Sequence, residues 1–207
     1  MTYQELPALM EMQSGDAKHE RGATSTLDLL WVLYDRVLNV DATDPERADR
    51  DRFVLSKGHG PQAYYAVLAA QGFFPHAWLE TYGRFDSPLG HHPDRLLIPG
   101  VEVSSGSLGH GLPIAVGITL ALRSSPVRIV CLIGDGELDE GSNHEAIAFA
   151  GRTGLSQLSV VVVDNRSAMH GWPGRISERF ALEGWEPFHV DGRDHDAIAA
   201  AFDATVS

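Results

Sequence analysis

The sequence is nearly without cysteine: Cys131 is the single thiol in 207 residues. No intrachain disulfide is possible, and because Cys131 lies inside an apolar run it reads as a small buried side chain rather than a reactive thiol. Positive charge is also scarce, with 16 Lys and Arg against 28 Asp and Glu and a formal charge of −12. That balance disfavours nucleic acid and anionic membranes as partners, since both present negative phosphates. A solvated acidic surface accounts for it. Long apolar runs are missing as well. The stretch from Leu112 to Leu122 is interrupted by Pro113 and Gly117 and falls short of the roughly 20 residues that a membrane helix needs. The first residues are polar and acidic, without the basic segment and apolar run of a secretory signal. No internal repeat or low-complexity linker divides the chain. These absences lead us to expect a soluble, cytoplasmic protein with no membrane or nucleic-acid partner, residues 1–207 forming one domain.

What is present is organised around residues 128–171. Two apolar runs of strand length, Arg128 to Gly134 and Leu158 to Val163, flank a helical segment from Ser142 to Gly151. This is the pattern of a βαβ unit with parallel strands. The strands lead into Asp135 and Asn165, and ligands of an open parallel sheet bind outside the carboxyl ends of its strands, so both side chains are expected at one crevice. Gly134 and Gly136 lack a Cβ and allow a tight turn and close approach of a bulky anion. A carboxylate and an amide oxygen suit a hard divalent ion, and magnesium takes few protein oxygens and completes its shell from phosphates and water. The expected site is one for magnesium and a diphosphate.

Elsewhere, Thr2 to Met12 reads as a short helix. Thr24 or Ser25 can cap another helix through Leu27, Leu30, Trp31, Tyr34 and Leu38, whose spacing gives one apolar face. Asp41 to Arg52 is charged, contains Pro45 and reads as a surface loop. Phe53-Val-Leu-Ser56-Lys57-Gly58-His59 leads into a helix from Gln62 to Ala70. Phe74 to Pro99 is a long irregular connection of the kind that serves sites. Ser104 to Gly111 is a glycine-rich turn opening a helix that continues through Ala121, and its free N–H groups can approach a ring or a phosphate. A short helix at Glu178–Leu182, a strand near Phe188–Val190 and a helix from Asp194 to Phe202 complete the reading. The fold class is α/β, a doubly wound parallel sheet with helices on both faces.

Gly134-Asp135-Gly136 followed at this distance by Asn165 resembles the thiamine diphosphate fingerprint. The text from Gly134 through Glu140 to Ala146 resembles the transketolase branch in particular. Asp49 to His59, the His92-Pro93-Asp94 segment and Ser105-Gly106-Ser107-Leu108-Gly109 follow in the family's order. The resemblance to the amino-terminal, diphosphate-binding half of transketolases extends from His19 to Phe202. It implies that Asp135, Asn165 and the backbone carbonyl of Ser167 hold magnesium, and that Gly134 and Gly136 border the diphosphate. It also implies that Gly106, Ser107 and Leu108 approach the aminopyrimidine ring. His59 would contact the cofactor near its diphosphate, His92 would hydrogen-bond the substrate hydroxyl beside the carbonyl, and His19 would line the substrate channel. Imidazoles donate, accept and move protons near neutral pH, which suits these roles.

The sequence departs from the family pattern at His91, at His110 in place of a glutamine, around His19, and at Arg166 and His170. These departures bear on the substrate channel more than on the cofactor. His144 reads as packing or surface, and Glu140 resembles an acidic residue at a subunit contact. The resemblance further implies a separately encoded pyrimidine-binding subunit that supplies an activating glutamate, in an α2β2 assembly. This chain is expected to lack the last strand and the tail of the family's domain. The reaction so implied is transfer of a two-carbon ketol unit from a ketose. Alternatives are a pyruvate or other 2-oxo acid donor, or a non-catalytic scaffold subunit.

Overall fold

The computed structural model describes residues 1–13, 24–169 and 174–204. The expected channel residue His19, and His170, lie outside the described residues. Three parallel strands form the sheet in the order β1-β2-β3: β1 is Arg52–Leu55, β2 is Ile129–Gly134 and β3 is Leu158–Val163. The register sets Phe53 beside Val130 and Leu132 beside Val161. The helices are α1 (Leu6–Glu11), α2 (Leu27–Val32), α3 (Gln62–Ala70), α4 (Gly111–Leu122), α5 (Gly141–Thr153), α6 (Ile176–Leu182) and α7 (His195–Ala204).

Because successive strand residues point to opposite faces, the sheet feeds two apolar clusters. Phe53, Leu55, Val130 and Leu132 pack with α1, α2, α3 and α7. Val54, Ile129, Cys131 and Ile133 pack with α4, α5 and α6. The doubly wound α/β architecture, with helices on both faces, is therefore the observed one. Cys131 is fully buried, and burial pushes its thiol well above its usual pKa.

Most expected elements form within one or two residues of their expected bounds, and four readings are corrected. Phe53-Val-Leu, read only as the approach to a helix, is the body of β1; four residues are too few to show a period. The loop that precedes it is not all surface: Arg50, Asp51 and Arg52 are buried. Arg50 pairs with Glu102 at 2.8 Å, and Asp51 accepts the Arg128 amide at 2.7 Å and the Asn39 amide at 2.9 Å. The helix expected from Thr24 or Ser25 begins at Leu27 behind Thr26, without a side-chain cap bond. It widens after Val32 into a π turn closed by Leu38 N to Leu33 O, 2.8 Å.

The strand expected at Phe188–Val190 does not form among the described residues. Phe188 and Val190 are exposed, and His189 Nε2 contacts Ser177 Oγ at 2.8 Å. That contact ties the segment to α6 rather than to β3. The longest apolar helix, α4, has 12 residues, and no described helix is long and apolar enough to cross a membrane.

Candidate active site at the carboxyl ends of the strands

Each strand of a parallel sheet delivers its loop to the same edge, so the residues following β1, β2 and β3 meet there. Ser56 N donates to Leu132 O (2.9 Å) and Asp135 N to Val163 O (3.1 Å), which extends the ladder to the start of each loop. After β2, Gly136–Asp139 forms one 3₁₀ turn and α5 follows immediately.

Asp135 is 3% exposed. Its carboxylate accepts from Ser167 N at 2.7 Å, Ser167 Oγ at 2.5 Å and Ala168 N at 3.2 Å. Burial opposes ionisation, but the bonds from Ser167 and Ala168 outweigh it and hold the carboxyl below the usual aspartate range. The loop after β3 is pinned a second time by Met169 N to Asp139 Oδ2, 3.1 Å. Asn165 stands exposed on this loop, next to Arg166, whose φ is +61°. A Cβ on Gly136 would lie 3.3 Å from Ser167 O, so that glycine leaves the carbonyl room at the turn. Carboxylate, amide and carbonyl oxygens thus belong to two adjoining loops, a donor set of hard-ion character. Among the described residues no group of three His, Cys, Asp or Glu side chains gathers as a metal site.

The glycine-rich turn before α4 packs against the other loops through its missing side chains. A Cβ on Gly106, whose φ is +145°, would come 2.9 Å from His92 Cγ. One on Gly58 would come 2.6 Å from the Ser105 carbonyl carbon, and one on Gly109 would come 2.6 Å from Glu140 Cβ. His92, Ser107, His110 and Glu140 are exposed around this turn, whereas His59 and His144 are half-buried. Leu108 is half-buried. A cavity of about 310 Å³ opens here, lined by His92, Asp94, Ser105, Ser107 and His110. The structure therefore brings His92 to Gly106 and Asp135 to Ser167. The extra His91 is held aside, its Nδ1 3.2 Å from Tyr82 Oη and its ring edge-on to Tyr82.

Motif reading overlooked a buried polar cluster beneath these loops. Lys57 and Glu137 are 3% and 2% exposed, and Ser56 and Asn143 are fully buried. Burial lowers the Lys57 pKa, against the opposing pull of Glu137 and Asp135. Burial raises that of Glu137 despite hydrogen bonds from Ser56 and Gly109. Gly134 makes room for this lysine, since a Cβ there would touch Lys57 Cδ at 3.7 Å. The available signal was a pair of charges, Lys57 and Glu137, inside otherwise small-residue turns; composition does not separate such charges from solvated ones.

Comparison with known proteins identifies the family of the domain. The family model for the transketolase thiamine diphosphate-binding domain matches residues 6–206. A Rhodococcoides fascians protein named ferredoxin fas2 is 56% identical over 203 residues, covering 97% of this chain and 67% of its own. An apulose-4-phosphate transketolase subunit of Actinobacillus succinogenes is 41% identical over 176 residues, covering 84% of this chain and 64% of that one. The transketolase of Pichia stipitis in complex with sedoheptulose 7-phosphate superposes with a TM-score of 0.79 at 28% identity, over 90% of this chain and 34% of that one. The chain thus spans about two thirds of the subunit-length relatives and about a third of the full-length enzyme. With the match running nearly end to end and the strand-end loops arranged as described, the chain belongs to the transketolase family, in its thiamine diphosphate-binding domain.

Proposed function

We propose that this chain is the diphosphate- and magnesium-binding component of a two-component transketolase-like transferase. A separately encoded pyrimidine-binding subunit completes the site, and a two-carbon ketol unit passes from a ketose donor to an acceptor. The observation that carries the reading is Asp135, a buried, ionised carboxylate at the end of β2 held by the Ser167 loop. Asp135, Asn165 and the Ser167 carbonyl would hold magnesium, and Gly134 and Gly136 would let diphosphate oxygens approach the backbone. Gly106, Ser107 and Leu108 would meet the ring end of the cofactor. When bound, thiamine diphosphate supplies a nucleophilic thiazolium carbon for cleavage beside a ketose carbonyl. His59 orients the diphosphate end, and His92 accepts or returns the proton of the substrate hydroxyl next to that carbonyl. His19 lines the channel in this reading.

Two observations support a partner. The Actinobacillus succinogenes relative is named as one subunit of its transketolase. The outer face of the α4–α5 layer also leaves Ile114, Leu120 and Phe149 exposed at 41%, 37% and 48%, with no charged residue anywhere in α4. An α2β2 assembly and a cytoplasmic location complete the proposal, with the chain inactive alone.

Calorimetric titration of thiamine diphosphate with magnesium tests it, into the chain alone and into the chain copurified with its partner. Binding that tightens with the partner and vanishes with EDTA is expected. No binding in either case refutes the reading. In the reconstituted pair, Asp135→Ala should abolish transfer from ketose donors; unchanged activity would make the chain a scaffold. Parallel assays with pyruvate separate the donor classes.

A further inference from the structure

Glu137 has no role in the reading above, yet its buried carboxylate ties together loops from different strands. Its Oε1 accepts from the Gly109 amide at 2.9 Å and from the Ser56 hydroxyl. The Ser56 oxygen in turn accepts from the Gly111 amide at 3.1 Å. The Glu137 main-chain carbonyl accepts from Asn143 Nδ2 at 2.7 Å. Ser142 Oγ closes the ring by donating to Gly109 O at 2.6 Å. Three separate segments converge on this one side chain: the end of β1, the turn before α4, and the turn after β2. Its Oε2 is buried without a hydrogen bond. Removing the carboxylate would leave the Gly109 amide and the Ser56 hydroxyl unpaired in a buried place.

We propose that Glu137 is a positioning residue that locks the Gly106–Gly111 turn to the Asp135 turn and so sets the spacing between the ring end and the diphosphate end of the site. The inference rests on the thiamine diphosphate reading for what occupies the two ends. The link between the turns stands on the hydrogen bonds. The two turns are far apart in sequence and belong to different loops, so their separation is not set by chain connectivity. A shared buried acceptor converts two independent loops into one rigid edge, and a ligand spanning both loses less ordering entropy on binding. A glutamine keeps one oxygen for both donors; an alanine keeps none.

The test uses the whole chain as wild type, Glu137→Gln, Glu137→Ala and Ser56→Ala. Amide hydrogen exchange reads the link directly. Glu137→Ala should raise exchange at Gly109 and Gly111 by about tenfold or more while leaving the β2 amides of Cys131 and Leu132 unchanged, and Glu137→Gln should retain protection. Calorimetry on the assembly with the partner then compares thiamine diphosphate plus magnesium with magnesium pyrophosphate, which reaches only one end. Glu137→Ala should weaken the first by about tenfold and the second by less than about twofold, with Glu137→Gln restoring the first. A merely structural role would weaken both ligands alike. Equal weakening, or unchanged exchange at Gly109 and Gly111, overturns the proposal. Should Glu137→Ala fail to fold, Ser56→Ala is read the same way, with protection lost at Gly111. If the wild type binds neither ligand, the thiamine diphosphate reading fails, and the exchange result alone decides the link between the turns.

Discussion

Gly106 carries the most demanding backbone position of the site. Its φ of +145° is costly for any other residue, and a Cβ would press on the His92 ring. Gly106→Ala should therefore cost about 1–3 kcal/mol of stability and displace His92. Denaturant titration with the His92 ring signals followed by NMR checks both, and an unshifted ring would contradict the packing. The tyrosines make a second prediction at this scale. Burial is the largest cause raising the phenols of Tyr34, Tyr64 and Tyr65, and Tyr3 is pushed up to about 12 by burial and by its bond to Asp28. Native phenols then keep protons that the unfolded chain releases from about pH 10 upward. Their stabilising contribution is whole below that pH and is lost as pH rises toward the folded values. Alkaline titration should show phenolate absorbance appearing together with loss of circular dichroism. Gradual ionisation near pH 10 with the fold intact would refute it. At the residue scale the motifs exposed Asp135, His92 and Gly106, because chemistry-bearing residues in short glycine turns stand out. Glu137 and Lys57 did not stand out, because a buried charge and a solvated one have the same one-letter code.

Among the elements, α4 and α5 each contain one glycine beyond their first residue, and these two differ in what surrounds them. Gly117 in α4 has open space around its missing Cβ, whereas a Cβ on Gly151 in α5 would run into the Glu183 carbonyl oxygen and stand 2.9 Å from Trp185 Cδ1. Alanine gains about 1 kcal/mol over glycine in a helix interior, and overpacking costs about 1–3 kcal/mol. Gly117→Ala should thus stabilise the chain by about 0.5–1 kcal/mol, and Gly151→Ala should destabilise it by about 1–2 kcal/mol. Urea denaturation of the pair separates the two effects, and equal shifts would mean that the α5–α6 contact yields. Period and turn residues sufficed for α3, whose bounds match the expected Gln62–Ala70, because its apolar and breaker residues agree. They failed at Phe188–Val190, where three residues carry too little pattern and only pairing with a neighbour could make a strand.

For the whole molecule, the exposed apolar face of α4 and α5 bears on assembly. Ile114→Asp and Phe149→Asp replace side chains that touch water in this chain, so its own stability should move by less than about 0.5 kcal/mol. Burial of such residues in an interface contributes about 1.5–3 kcal/mol each, so association with the partner should weaken by about tenfold or more. Sedimentation velocity of the mixture measures it. Unchanged association would place the partner elsewhere. With a formal charge of −12, the long-range field does little to attract a diphosphate, and in the proposed function local N–H groups and the magnesium ion would act against it.

Apolar runs of strand length, one helix between two strands, and polar residues at the ends of both runs are local patterns, and they were enough to read an α/β fold with helices on both faces. Hydrogen-bond geometry and spacing within a few residues are written in the chain itself. Which charges are buried is not, because burial depends on what distant segments cover. Ser56, Gly109, Gly111 and Glu137 meet only once β1 and β2 pair and α4 packs across them. The same holds for Arg50 and Asp51, which read as loop surface until Glu102 and Arg128 close over them. Long-range packing supplied those partners, and with them the difference between a solvated charge and a structural one.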